Sequence, residues 1–203
     1  MSYTSLWGVD KDWNGKELTT YKNSWLFPPT VWNCLLMKYI TKAERTDRFG
    51  FTHELYLSWA MFDKDNQKFN LINGRINESE NQIDRILWEL TDISVMNAKD
   101  KVFIAKCVRD FCENYPEVKN NEYIRERFQK IADDIENLPD EYKFFVIHPN
   151  SVDNNVEYWF FCNGEDKKLS EWDKFICEFT LIENEKIVGF SDNLKMCKRE
   201  GNK

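Results

Sequence analysis

Apolar and polar residues alternate loosely from Ser2 to Val9, break at Asn14-Gly15, and resume from Lys16 to Tyr21. Asn-Gly supplies the two positive-φ positions of a type I′ turn, so a β-hairpin is predicted there. Beyond Pro28-Pro29, the stretch Thr30 to Ile40 (TVWNCLLMKYI) is apolar on nearly every side. That pattern predicts a buried helix central to the core, since proline is tolerated at a helix start. Leu55 to Phe62 then reads as a strand, Asp63 to Lys68 as a polar turn and Phe69 to Ile72 as the returning strand, with a second tight turn at Asn73-Gly74.

The period changes in the middle third. Asn77-x-x-Glu80 resembles a capping box, and Ile83, Ile86, Leu87 and Leu90 follow on one helical face. Asn97-x-x-Asp100 opens a second helix whose apolar residues Ile104, Cys107, Val108, Phe111 and Cys112 recur at three- and four-residue steps until Tyr115-Pro116 stops it. A third helix is predicted from Asn121 to Leu138 and is ended by Pro139. At about 100° per residue, Ile124, Phe128, Ile131 and Ile135 share one side of it, and Glu122, Glu126, Asp133 and Glu136 share the other.

Strand patterns return at Tyr142 to His148, Val156 to Cys162, Phe175 to Ile182 and Lys186 to Phe190, separated by turn signals at Pro149-Asn150, Asn163-Gly164 and Asn184-Glu185. A short helical turn capped by Ser170-x-x-Asp173 is expected within the series, and the segment 193–203 reads as a polar tail. No repeat and no Gly/Ser/Pro-rich linker divides the chain. The order of strands, helices and strands predicts a single α+β domain over residues 1–192, with hairpins in 2–72, a helical middle in 77–138 and strands in 142–190. Its mostly antiparallel sheet is expected to pack against a layer of three to four helices.

Composition narrows the class. The chain has 203 residues, 42% of them hydrophobic and 15% aromatic, with only seven Gly and five Pro, which excludes disordered and collagenous types. No apolar run forms a signal peptide or approaches the roughly 18 residues of a membrane span, so a soluble cytoplasmic protein is expected. The six cysteines (34, 107, 112, 162, 177 and 197) contain no C-x-x-C pair and sit in mostly apolar surroundings, as reduced core thiols do. Net charge is −7. Residues 1–72 carry nine basic against eight acidic side chains, 73–141 ten against sixteen, and 142–203 nine against eleven. Acid is thus concentrated in the helical third, which disfavours direct nucleic-acid or anionic-membrane binding and suits a basic partner.

Candidate chemistry is sparse. Asp10-x-Asp12-x-Asn14-Gly15 matches the start of an EF-hand loop, but its twelfth place is Tyr21 instead of glutamate, and a hairpin turn wants the same residues. His53 and His148, the only histidines, are expected at a strand start and a strand end; either could serve as a general base, yet no nucleophile motif lies near them. A zinc site would have to gather the scattered Cys162, Cys177 and His148. Glu117-x-Lys119 is half of a nuclease motif, placed between two helices where a strand is wanted. Phosphate-cradling glycine loops are missing from the sequence. No catalytic residue, metal ligand or cofactor is therefore assigned.

Two features suit a binding protein. The carboxylates Glu122, Glu126, Asp133 and Glu136 form a row that a Lys/Arg-lined groove would attract, although the same row serves as a solvated helix face with Arg125, Arg127 and Lys130 as partners. Trp13, at the hairpin tip, and Trp88, off the apolar stripe, are candidate surface anchors, whereas Trp7, Trp25, Trp32, Trp59 and Trp159 read as core. Three function classes follow. The leading one is a non-catalytic binder, monomeric or dimeric, that acts as a stoichiometric inhibitor of a basic or nucleic-acid-processing partner. Phage anti-defence proteins such as anti-CRISPRs, and immunity proteins, are of this type, by analogy of kind alone. The alternatives are an enzyme with a dispersed site around His148 or His53, and a self-associating structural protein.

Overall fold

The computed structural model describes residues 3–22, 26–39, 43–46, 52–55, 67–91, 94–150, 161–162 and 178–192. Within them the fold is α+β. A five-stranded sheet runs in the order β5 (Met96–Asn97), β6 (Tyr142–Asn150), β1 (Tyr3–Asp10), β2 (Asn14–Lys22) and β7 (Phe161–Cys162), all antiparallel except the short β2–β7 pair. Two further hairpins join β3 (Ala43–Thr46) to β4 (Thr52–Leu55) and β8 (Glu178–Glu183) to β9 (Lys186–Asp192). Val95, just before β5, draws β8 onto the sheet: its N–H donates to the Glu178 carbonyl (2.8 Å) and its carbonyl accepts from Thr180 (2.9 Å).

Alternation along the strands gives the sheet two apolar faces. Leu6, Phe145 and Ile147 point into the large core shared with the helices. Trp7, Val9, Phe144 and Val146 point the other way and cluster with Val95 and Phe179. The helical side is built by α1 (Phe27–Tyr39), α2 (Gln67–Asn77), α3 (Gln82–Thr91), α4 (Lys101–Asn114), the single turn α5 (Pro116–Lys119) and α6 (Glu122–Glu136). Ile104, Cys107, Val108, Phe111 and Cys112 of α4 are all buried, as their spacing predicts, and Phe111 and Phe128 of α6 stack at 6.2 Å. Cys34, Cys107 and Cys112 are buried free thiols.

Several boundaries differ from expectation. Leu26 adopts φ 55° and its carbonyl accepts the Thr30 N–H (2.9 Å), so α1 starts at Phe27 with both prolines in the first turn, where their missing N–H groups cost nothing. The helix is not buried all round, since Met37 is 55% exposed. The expected returning strand at Phe69 to Ile72 is part of α2, and Asn73-Gly74 lies inside that helix. Ile72 and Ile76, four residues apart, are both fully buried, and a helical period is what brings them together. Most of the expected strand 55–62, the helical turn at 170–173 and the tail from 193 lie outside the described residues. The cap of α3 is Asn81, whose Oδ1 accepts the Asp84 N–H (3.2 Å), and Asn77 instead ends α2.

The first hairpin forms, but its turn does not use Asn14-Gly15. Both residues belong to β2, and the loop is Lys11 to Trp13, closed by Trp13 N–H to the Asp10 carbonyl (3.2 Å), with Trp13 at φ 65°. The two-residue turn with both positive φ values occurs instead at Asn184 (48°) and Glu185 (60°), between β8 and β9. Gly8, in the middle of β1, is required for another reason. A Cβ there would lie 2.6 Å from Cγ of Tyr142, against the body of a buried ring. Gly8→Ala is expected to cost about 1–3 kcal/mol through this overpacking, read as a lower urea midpoint with unchanged slope; an unshifted midpoint would mean the ring moves freely.

Candidate functional site

Helix α6 carries the acidic row. Asn121 caps it, its Oδ1 accepting the Ile124 N–H (3.2 Å), and Phe128, Ile131, Ala132 and Ile135 anchor it in the core. Of the four predicted carboxylates, Glu122, Glu126 and Asp133 are exposed and Glu136 is half-buried. The row divides in two. Arg109 of α4 donates from Nη2 to Asp133 (2.8 Å) and Glu136 (2.5 Å), and the two carboxylates hold its guanidinium pKa above the usual value. Asp134, one residue along, is paired with Lys130 and accepts the Tyr21 hydroxyl (3.2 Å). Asp140 pairs with Lys101 (2.8 Å), whose ammonium keeps that carboxyl below its ordinary range.

The first two turns of α6 are different. Among the described residues Glu122 and Glu126 make no ion pair; of the nearby arginines, Arg125 donates to the Lys119 carbonyl (3.2 Å), while Arg127 donates to the Tyr123 carbonyl (3.0 Å) and lies over the Tyr123 ring. Tyr123, between the two glutamates, is 51% exposed. A capped helix thus presents two carboxylates that form no ion pair among the described residues, and an exposed aromatic ring.

The tryptophans do not extend this face. Trp88 is fully buried and donates its indole N–H to Asn73 Oδ1 (2.9 Å), which corrects its expected place on the surface. Every residue from Ile86 to Thr91 is buried, because α3 is enclosed by α1, α2, α4 and the sheet, leaving no side of the helix open at Trp88. Trp13 is half-buried, stacked on Phe144 at 5.3 Å and edge-on to Phe179 at 6.3 Å. Of the rings expected in the core, Trp7 is buried and Trp32 is partly so, while 25, 59 and 159 lie outside the described residues.

Both oxygens of Asp10 are used inside the hairpin turn, accepting from the backbone of Asp12 (2.8 Å) and Asn14 (2.9 Å) and from the Asn14 side chain (3.1 Å). An open cleft of about 630 Å³ lies beside them, bordered by Asp12, Lys16, Glu141 and Tyr142. Among the described residues no group of three or more His, Cys, Asp or Glu is arranged to hold a metal ion; the side chains of Cys162 and Cys177 lie outside them. Lys119 pairs with Glu113 (3.2 Å) and sits with Glu117 on α5. His53 lies in β4, in register with Arg45. His148 is buried at the end of β6, with Ser5 opposite on β1. Ser5 is 1% exposed and donates its hydroxyl to Glu17 (2.6 Å), so the hydroxyl is aimed at a carboxylate and shielded from solvent.

A buried polar centre that no sequence motif marks lies between the helices. Asp84 is fully buried, yet its carboxylate accepts from Lys38 Nζ (2.5 Å), the Tyr39 hydroxyl (2.7 Å) and the Tyr115 hydroxyl (2.7 Å). It ties α1 to α3 and to the α4–α5 junction. Burial, and then the bond to Asp84, pushes the Tyr115 phenol well above its usual range; burial lifts Tyr39 to about 12. Phenols held neutral in this way are hydrogen-bond donors, and the cluster works as a clasp. The signal was present in the sequence: Asp84 stands three and four residues before Leu87 and Trp88, where a charge has no solvent to face unless partners await it.

Compared with protein-family models, curated proteins and solved structures, the chain matches none.

Proposed function

We propose that this chain is a non-catalytic binding protein of the cytoplasm, a stoichiometric inhibitor that covers the basic or nucleic-acid-binding surface of a protein partner. Phage anti-defence proteins of the anti-CRISPR kind, and immunity proteins, act in this way. The observation that supports the reading is the pair of exposed carboxylates Glu122 and Glu126, without an ion pair among the described residues, flanking exposed Tyr123 on a helix fixed by its cap and its buried face. Carboxylates on a preorganised scaffold steer association with cations and lose little side-chain freedom on docking. An overall charge of −7 works in the same direction. No helix among the described residues is long and apolar enough to cross a membrane.

The reading places the contact in the first two turns of α6, since Asp133 and Glu136 already serve Arg109. The double reversal Glu122→Lys/Glu126→Lys is expected to leave stability within about 0.5 kcal/mol, as exposed substitutions do. It should weaken association at least tenfold, about 1.4 kcal/mol. The measurement is a biosensor titration of the partner recovered by affinity capture with and without nuclease treatment. Unchanged affinity would remove α6 from the account.

A further inference from the structure

We infer that the buried carboxylate of Asp84 and the rings of Tyr39 and Tyr115 form an ammonium site, which Lys38 fills as a tethered ligand and which an unbranched primary alkylammonium fits in its place. Asp84 supplies the anion: it is fully buried, and its Oδ2 accepts from Lys38 Nζ (2.5 Å). The same nitrogen lies over both rings, 5.3 Å from the Tyr39 centroid and 5.6 Å from that of Tyr115. A ring quadrupole attracts a cation within about 6 Å. One carboxylate and two aromatic faces therefore converge on a single ammonium group.

The walls of the site stand on contacts that do not involve Lys38. The Tyr39 hydroxyl donates to Asp84 Oδ2 and the Tyr115 hydroxyl to Oδ1, both at 2.7 Å. Ser79 Oγ, 2.9 Å from the Tyr39 hydroxyl, accepts the Asn81 N–H (3.1 Å), Asn81 Oδ1 accepts the Asp84 N–H (3.2 Å), and the Tyr115 ring stacks on Phe111 at 4.1 Å. Removing the lysine side chain leaves these contacts in place. Lys38 enters from solvent, its side chain 42% exposed where that of Asp84 is 0% exposed, so its stem marks a channel for an alkyl chain. A primary ammonium gives N–H bonds to the carboxylate and charge to the rings, whereas a quaternary ammonium brings charge alone. In the unaltered chain the tether holds Lys38 at an effective concentration in roughly the millimolar range, which excludes a free amine while Lys38 is seated. The site shares no residue with α6, so the two proposals stand or fall separately.

The test uses the whole chain carrying Lys38→Ala, which removes the atoms of a propylammonium ion and leaves the cage. Propylammonium chloride is expected to raise the urea midpoint of this variant saturably above that in equal sodium chloride, as a ligand of the folded state does. It should bind roughly tenfold or more tightly than tetramethylammonium, which has no N–H to give the carboxylate, and should move the amide signals of Asp84 and Tyr115 in isotope-labelled protein. Lys38→Met, whose side chain fills the channel, should show neither response. If Lys38→Ala does not fold alone, refolding in propylammonium chloride is expected to restore its helicity by circular dichroism where sodium chloride does not. Equal stabilisation by the two cations, an equal response of Lys38→Met, signal changes only away from Asp84 and Tyr115, or neither stabilisation nor refolding with propylammonium would each overturn the proposal.

Discussion

Replacing Asp84 with asparagine is expected to destabilise the fold by roughly 3 kcal/mol, the low end for breaking a buried ion pair because Lys38 keeps part of its hydration. The isosteric amide removes the charge that three donors converge on, and its NH₂ group turns a further donor toward them. Lys38, Tyr39 and Tyr115 would then compete for a single carbonyl oxygen. The clasp joins segments from three parts of the chain, so its loss should loosen the seat of α1 against α3 specifically. Denaturant titration gives the magnitude, and hydrogen exchange of α1 amides gives the location. A variant as stable as the parent would show that water or another donor arrangement replaces the clasp. Lys38→Met is also expected to destabilise the fold, because it leaves the Asp84 charge fully buried with two phenols and no cation.

Alkali is expected to unfold the protein between about pH 10 and 12, well before the backbone is at risk. Burial raises the thiols of Cys34, Cys107 and Cys112 from 9 to about 12; at Cys34 the nearby Glu117 and Asp84 charges add to it. Tyr39 rises from 10 to about 12, and Tyr21, buried and bonded to Asp134, rises further. All these groups hold their protons more tightly when folded, so the stability they confer is complete below the unfolded values of 9 and 10. It drains away as pH climbs toward the folded ones. With three thiols alone the slope approaches about 4 kcal/mol per pH unit, enough to consume a typical 5–15 kcal/mol of stability within that window. Circular dichroism should fall together with the appearance of thiolate and phenolate absorbance. Ionisation of Cys34, Cys107 or Cys112 near pH 9 with helicity intact, read in variants with the other three cysteines replaced by serine, would refute the burial argument.

Where the chain's own periodicity meets one covering layer, the sequence predicts the structure closely. Helix α4 and helix α6 show this, each with a stripe of apolar residues at three- and four-residue steps, although only α6 has a side-chain cap, the expected Asn97 capping a 3-10 turn ahead of α4 instead. The reading failed where the deciding contact is remote. Phe69 to Asn73 carries the composition of a strand and a turn, yet the requirement to bury Ile72 and Ile76 against other helices imposes a helical period. A single idealised stripe predicts Trp88 at the surface, whereas α3 is wrapped on several sides. The uneven acidic row could not be foreseen either, since Arg109 reaches Asp133 and Glu136 from 24 and 27 residues away. Local spacing names the faces of a helix; it does not say which charges a neighbour will silence.

The left-handed backbone of Trp13 has a kinetic consequence. A bulky side chain holds that conformation against its own preference, and what rewards it is the stack on Phe144, a ring that enters the sheet 131 residues later. An isolated two-stranded ribbon is marginal in water, and this one cannot settle its tip until β6 arrives. The N-terminal ribbon is therefore expected to form late in folding, completed only when nearly three quarters of the polypeptide has emerged, since long-range pairing of this kind slows the search.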